Sequence, residues 1–156
     1  MRKKDFQIGV ISDTHGLLRP EAEMHLKRSN LIIHAGDIGD IQIIISLKKI
    51  APVYSVKGNI DTESWAAEFP GKLEFQVIHK WIFVIHDIKD ANINNEKSYD
   101  IIISGHSHKP LIKKVNEVLF LNPGSAGKKR FSLPVSLAQI YITEDKISAR
   151  IIELKA

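Results

Sequence analysis

Seven side chains with metal-binding chemistry stand at or just beyond the C-terminal ends of five apolar runs. Ile8-Gly9-Val10-Ile11 leads to Asp13 and His15, Leu31-Ile32-Ile33 to Asp37, and Val53-Tyr54-Ser55-Val56 to Asn59. Trp81 to Ile85 runs straight into His86, and Ile101 to Ser104 leads to His106 and His108. Two carboxylates, one amide oxygen and four imidazoles exceed what one divalent ion needs. They suit two ions about 3.5–4 Å apart, bridged by a carboxylate and a water. Asp37 is the candidate bridge, from its central place in the strand order. Two divalent ions set against Asp13, Asp37 and one bridging hydroxide leave the site about one unit positive, which favours a phosphate substrate. The chemistry expected is metal-assisted hydrolysis, with the ions acidifying water and stabilising charge on the phosphoryl oxygens.

The elements that must position these residues can be read from periodicity. Phe6 to Ile11 is a continuous apolar run, as in a strand buried on both faces. Pro20 opens a helix through about Arg28, with Glu21 and Glu23 near its start and Lys27 and Arg28 near its end. Leu31 to His34 is the next strand. A helix from about Asp40 to Ile50 places Ile41, Ile44 and Ile45 on one face, and Val53 to Val56 completes a β-α-β-α-β opening. That alternation predicts a parallel sheet whose loops gather at the carboxyl ends of the strands. A short helix is expected at Asp61 to Ala67. Leu73 to Ile78 and Trp81 to Ile85 form a predicted hairpin around His79-Lys80, and Ala91 to Tyr99 a loop or irregular helix. Leu111 to Val115 with Val118 to Leu121, and Val135 to Ile142 with Lys146 to Ile152, read as antiparallel hairpins. Both are assigned to a second sheet packed on the first, with helices outside.

Composition excludes several other classes. The 156 residues suit one domain spanning 1–156, and 44% hydrophobic with 26% charged residues is ordinary for a globular protein. The absence of cysteine excludes disulfides and thiolate zinc sites. A net charge of +4 from scattered lysines and arginines calls for no nucleic-acid partner beyond a nucleotide-sized substrate. No run reaches membrane-span length and the start lacks a leader-like segment, so no membrane partner is expected and a cytoplasmic setting is the default. Self-association is left open.

Taken in order, Asp13-x-His15, Gly36-Asp37-x-x-Asp40, Gly58-Asn59-x-Asp61 and Gly105-His106-x-His108 resemble the motifs of the calcineurin-like metallophosphoesterases. The Gly58-Asn59-Ile60-Asp61 form and Asn122-Pro123-Gly124-Ser125 are similar to the small bacterial and archaeal phosphodiesterase branch. The resemblance runs from Ile8 to beyond Ser125. It implies an α/β fold, a four-layer αββα sandwich of two mixed sheets flanked by helices. It also implies that Asp13, His15, Asp37 and His108 hold a first metal, and that Asp37, Asn59, His86 and His106 hold a second. Asp37, Asn59 and His106 would then carry catalysis. Manganese is the expected metal, with nickel, iron, zinc or magnesium compatible with nitrogen and oxygen ligands.

The expected activity is phosphodiester hydrolysis by a metal-bridging hydroxide. A phosphomonoesterase is an alternative, and a non-catalytic interaction scaffold of the same fold is another. Scaffold relatives lose metal-site histidines, and none is missing here. Two departures from the family pattern stand out. Asp87 follows His86 where glycine is commoner, and Ile60 occupies the place of a histidine that larger relatives carry after the asparagine. Leaving-group protonation is therefore unassigned. His34, Asp61, Asp87 and Asn122 are candidates for supporting or substrate-facing roles. Asp40 reads as a helix N-cap, His25 and His79 as solvated residues, and Lys128 to Arg130 as a solvated basic cluster.

Overall fold

The computed structural model describes residues 6–92 and 98–155. Among these the chain forms ten strands, two α-helices and two short 3₁₀ segments. The first half follows the expected order: β1 (Phe6–Ile11), α1 (Pro20–Leu26), β2 (Leu31–His34), α2 (Ile41–Lys48) and β3 (Val53–Ser55). A 3₁₀ segment at Ser64–Glu68 stands where a short helix was expected. Then come β4 (Lys72–Val77), β5 (Lys80–Ile85), a 3₁₀ turn at Ile88–Asp90, and β6 (Ile101–Ile103). The chain ends in β7 (Leu111–Val115), β8 (Val118–Asn122), β9 (Val135–Ile142) and β10 (Ile147–Leu154). The expected loop or irregular helix over 91–99 falls partly on residues 93–97, outside the described residues.

Two mixed five-stranded sheets stack face to face. The first runs β10-β9-β1-β2-β3, with β1, β2 and β3 parallel. The second runs β4-β5-β6-β8-β7, with β5, β6 and β8 parallel. The two late hairpins divide between the sheets, whereas both are expected in the second: β7–β8 joins the second sheet and β9–β10 does not. β9 pairs antiparallel with β1 and brings β10 with it, so the last hairpin completes the first sheet. Its inward residues explain this choice. Ala138, Ile140 and Ile142 are fully buried in the inter-sheet core beside Ile8 and Val10. A second correction is smaller: the β4–β5 turn is Ile78-His79, one residue earlier than expected.

Side-chain alternation sends neighbouring isoleucines into different layers. Ile33 joins the core between the sheets, whereas Ile32 joins the outer cluster beneath α1 and α2. Each fully buried isoleucine or leucine contributes roughly 1.5–3 kcal/mol relative to exposure. Helix α2 buries Ile43, Ile44 and Leu47 and exposes Ile45, so its apolar face is rotated from the expected one. Asp40 caps it as expected, accepting from the Gln42 N–H at 2.9 Å. On the outer face of the second sheet no α-helix packs among the described residues. Phe83, Ile85 and Ile102 lie there beneath Ala91 and Tyr99, next to the single 3₁₀ turn. No helix among the described residues is long and apolar enough to cross a membrane.

Candidate metal centre

The parallel strands of each sheet end at one rim, and the site forms where the two rims meet. The first sheet supplies Asp13 and His15 after β1, Asp37 after β2 and Asn59 after β3. The second supplies His86 after β5 and the His106–His108 pair after β6. The sharp turns needed here show in the backbone. Asp13, His15, Asp37, His106 and His108 all have left-handed φ, between 46° and 71°. Such conformations cost non-glycine residues of order 1 kcal/mol each and concentrate at functional sites. Two glycines make the crowding possible. A Cβ on Gly36, itself at φ +102°, would lie 2.6 Å from His86 Nδ1, and one on Gly58 would lie 2.1 Å from Asp37 Oδ1.

Each carboxylate has one oxygen bound by the protein and one facing imidazoles. Asp13 Oδ2 accepts from Ser12 Oγ at 2.7 Å and from the His106 N–H at 3.1 Å. Its Oδ1 faces His108 Nε2 at 3.4 Å, His15 Nε2 at 3.8 Å and His86 Nε2 at 3.9 Å. Asp37 Oδ1 accepts from the Ile60 N–H at 3.1 Å, while Oδ2 lies 3.3 Å from His86 Nε2 and 3.5 Å from His15 Nε2. His86 Nδ1 lies 2.7 Å from the Ala35 carbonyl. Donating there puts the neutral ring's lone pair on Nε2, towards the centre.

The donor set fits divalent ions. Among the described residues, five buried side-chain polar atoms lack a hydrogen-bond partner, and four of them are Asp13 Oδ1, His15 Nε2, His86 Nε2 and His108 Nδ1. Unpaired polar atoms are costly to bury, so such a concentration signals a missing partner. The 3.3–3.9 Å separations are long for hydrogen bonds. They are near the spacing of about 3–3.4 Å expected between donors each about 2.1 Å from a shared ion. Two groups emerge: Asp13 with His15 and His108, and Asp37 with His86 and His106. Asp37 Oδ2 also approaches His15 of the first group, as a shared carboxylate would.

Charge and burial pull in opposite directions here. Burial alone raises the Asp13 carboxyl, but His108, His15 and Ser12 beside it, together with His86, hold it well below the usual carboxylate range. Burial likewise opposes ionisation of Asp37, and contact with His86 and the Ile60 N–H overcomes it, so its pKa is also lowered. Burial would lower the His86 imidazole, whereas the Asp37 and Asp13 carboxylates and the Ala35 carbonyl raise it. Both acids are therefore ionised near neutral pH, as cation ligands must be.

The remaining sequence candidates take distinct places. His34 is fully buried; Nδ1 accepts from the Gly36 N–H and Nε2 pairs with Thr14 Oγ1, each at 3.0 Å. It ties the β1 and β2 loops from behind, away from the cleft. Asp61 accepts from the N–H groups of Gly58 at 2.8 Å and of Ile38 and Gly39 at 3.0 Å each, and so clasps the β2 and β3 loops together. Asn122 donates to the Gly105 carbonyl at 2.9 Å and to Ser107 Oγ at 3.1 Å, bracing the histidine pair. Asp87 accepts from the Lys89 N–H and lies 3.5 Å from His106 Nε2. Asn59 is exposed at the cleft.

Sequence reasoning missed the hydroxyls that support the centre. Ser12 and Thr14 flank Asp13, and Ser125 Oγ donates to the Asp13 carbonyl at 3.1 Å. The position of Ser12 and Thr14 beside a candidate ligand was visible; their partners, and the reach of Ser125 to Asp13, were not. It also missed the cleft of about 580 Å³ that opens beside His86, His106 and Asn59, towards Lys57 and Lys72.

Two stacked mixed sheets with a carboxylate–imidazole centre at their shared rim define the metallophosphoesterase class. Residues 6–145 match the calcineurin-like phosphoesterase superfamily domain, and the chain belongs to that family. Membership implies divalent metal ions, in keeping with the two donor groups. The chain is 36% identical to a probable metallophosphoesterase of Methanocaldococcus jannaschii, over 95% of this chain and 81% of that one. It is 28% identical to a phosphodiesterase of the same organism, over 76% of this chain and 82% of that one. Among solved structures, vacuolar protein sorting 29 of Cryptosporidium parvum shares the fold with a TM-score of 0.75 at 20% identity, covering 99% of this chain and 100% of that one.

Proposed function

We propose that the chain is a metal-dependent phosphodiesterase working with two divalent ions, manganese first among them. Asp13, His15, Asp37 and His108 would hold one ion, and Asp37, Asn59, His86 and His106 the other. The observation that carries this reading is the set of unpaired buried atoms at the centre, of which His15 Nε2 and His86 Nε2 lie 3.5 and 3.3 Å from Asp37 Oδ2. When bound, the ions supply charge to offset the phosphoryl oxygens and acidify a water for attack on phosphorus.

The protein's own part is orientation. Ser12 and the His106 N–H fix one Asp13 oxygen, the Ile60 N–H fixes one Asp37 oxygen, and Ala35 fixes the His86 ring. Hydrolysis forms a bond from water oxygen to phosphorus and breaks the bond to the leaving oxygen, which takes up a proton from solvent or is expelled as a stable anion. Ile60 offers no acid for that step.

A diester is favoured over a monoester because the cleft beside the centre gives a second substituent room, and because one relative is named a phosphodiesterase. A scaffold function has the fold of vacuolar protein sorting 29 in its favour. The full set of seven candidate ligands speaks against it. The test is to strip the protein with chelator and assay an activated bis-aryl phosphate diester with each divalent metal in turn, beside Asp37→Ala and His106→Ala. Metal-restored turnover, lost in both variants, is the expected result. Turnover no greater than that of the variants would transfer the assignment to the scaffold.

A further inference from the structure

The cleft beside the centre carries two lysines that the hydrolytic chemistry leaves unused. Lys57 follows β3 and Lys72 opens β4. The Lys57 N–H donates to the Pro70 carbonyl at 2.9 Å, which holds both residues on one wall. Both side chains are exposed, and neither amine has an ion-pair or hydrogen-bond partner among the described residues. Pro70 and Ile85 add apolar surface to the cleft lining. Asp87 and Asp90 also line the cleft; Asp87 accepts from the Lys89 N–H at 3.0 Å and lies 3.5 Å from His106 Nε2, and the exposed Asp90 is the further carboxylate that the two lysines must outweigh.

We infer that Lys57 and Lys72 form a second anion seat, so that the preferred substrate is a phosphodiester with a further phosphate on one substituent. The inference rests on the diesterase reading for the identity of the scissile group. At about 580 Å³ the cleft falls within the usual range of small-molecule sites and is large enough for a nucleoside-sized body. The metal centre takes the scissile phosphate, the cleft takes the body, and the lysine pair takes the second phosphate. Because both amines are exposed, the preference is modest and weakens with salt.

Three p-nitrophenyl diesters test this on the manganese-loaded protein at low salt: a nucleoside diester, the same compound with a second phosphate on the sugar, and p-nitrophenylphosphorylcholine. Release of p-nitrophenolate reports diester cleavage alone. The second phosphate should raise kcat/KM about fivefold over the plain nucleoside diester, mainly through KM, and the ratio should fall towards one in a Lys57→Gln/Lys72→Gln double variant. Calorimetric binding of a nucleoside bisphosphate against the monophosphate should show the same difference, lost in the double variant. Turnover of all three diesters with no charge preference, or with preference for the choline ester, overturns the seat and leaves the diesterase reading standing. No turnover of any diester, with bisphosphate still preferred by the unmodified protein and not by the double variant, keeps the seat and overturns the diesterase reading. Failure of both measurements overturns both.

Discussion

The two donor groups of the centre differ in how firmly the protein holds them. Asp13 and His108 are buried and His15 is partly buried, and Asp13 is wholly enclosed with its backbone and side chain fixed by Ser12, Ser125 and the His106 N–H. In the other group, Asp37 and His86 are buried but His106 has a side chain 46% exposed, and Asn59 faces the cleft. The first group is preorganised; the second is open to substrate and solvent. Rigid donors bind a metal without paying to order themselves. The first group should therefore retain its ion more tightly, and the second should exchange it more readily.

The strongest way to break this comparison is to remove Asp37, the carboxylate proposed as common to both groups, whose Oδ2 lies within 3.5 Å of His15 and His86. Asp37→Ala is expected to lower diesterase turnover by about a thousandfold, the scale of losing a central electrostatic group. By contrast, His106→Ala should weaken only the second group. Metal analysis after dialysis against a weak chelator should find about one ion per chain in that variant, against about two in the unmodified protein. Loss of both ions together would show that the groups act as one unit and that the distinction drawn from burial is wrong.

Removing what fastens the first sheet's loops should act on stability as well as on activity. Asp61→Ala leaves three backbone N–H groups without their acceptor. A loss of about 2–4 kcal/mol in urea unfolding is expected, with part of it recovered in Asp61→Asn. His34 gives a pH-dependent counterpart. Burial lowers its imidazole from 6.5 to about 4. The unfolded chain therefore binds the extra proton first, and stability is fully present above about pH 6.5 and declines as pH falls towards 4. The decline attributable to His34 should be about 2–3 kcal/mol and should vanish in His34→Gln, measured as the urea midpoint against pH. The smallest effect is expected from Asp87→Ala. With its carboxylate 3.5 Å from an exposed His106, the variant should weaken the second group's ion by about two- to fivefold and leave the first unchanged, as read by metal titration.

Much of the centre was legible because metal chemistry restricts residue type and β/α architecture restricts place. In a chain without cysteine the suitable atoms come from carboxylates, Asn and His, and a parallel strand delivers its loop to the carboxyl edge. The supporting contacts were less legible. Asp61 could as well have capped a helix; it braces three N–H groups because the β2 and β3 loops bring them to it. His34 could have faced substrate, yet its position at the end of a fully buried strand turned the ring inward. Ser12 and Thr14 gave no more than adjacency to Asp13.

By itself, the sequence determined the inventory of donors, their order, and the apolar runs that carry them, because these follow from residue type and local periodicity. It determined the parallel opening of β1, α1, β2, α2 and β3 for the same reason. Sheet membership was decided only by tertiary structure. The β9–β10 hairpin is locally equivalent to any other, and it belongs to the first sheet because Ala138, Ile140 and Ile142 fill the core beside Ile8 and Val10. Tertiary structure also set β8 beside β6 as a third parallel strand, with Asn122 at its end to brace the histidine pair. Above all, it brought carboxylates from one sheet against imidazoles from the other. Local sequence cannot express that meeting, since His86 Nε2 and Asp37 Oδ2 come within 3.3 Å across 49 residues of chain only when the two sheets stack.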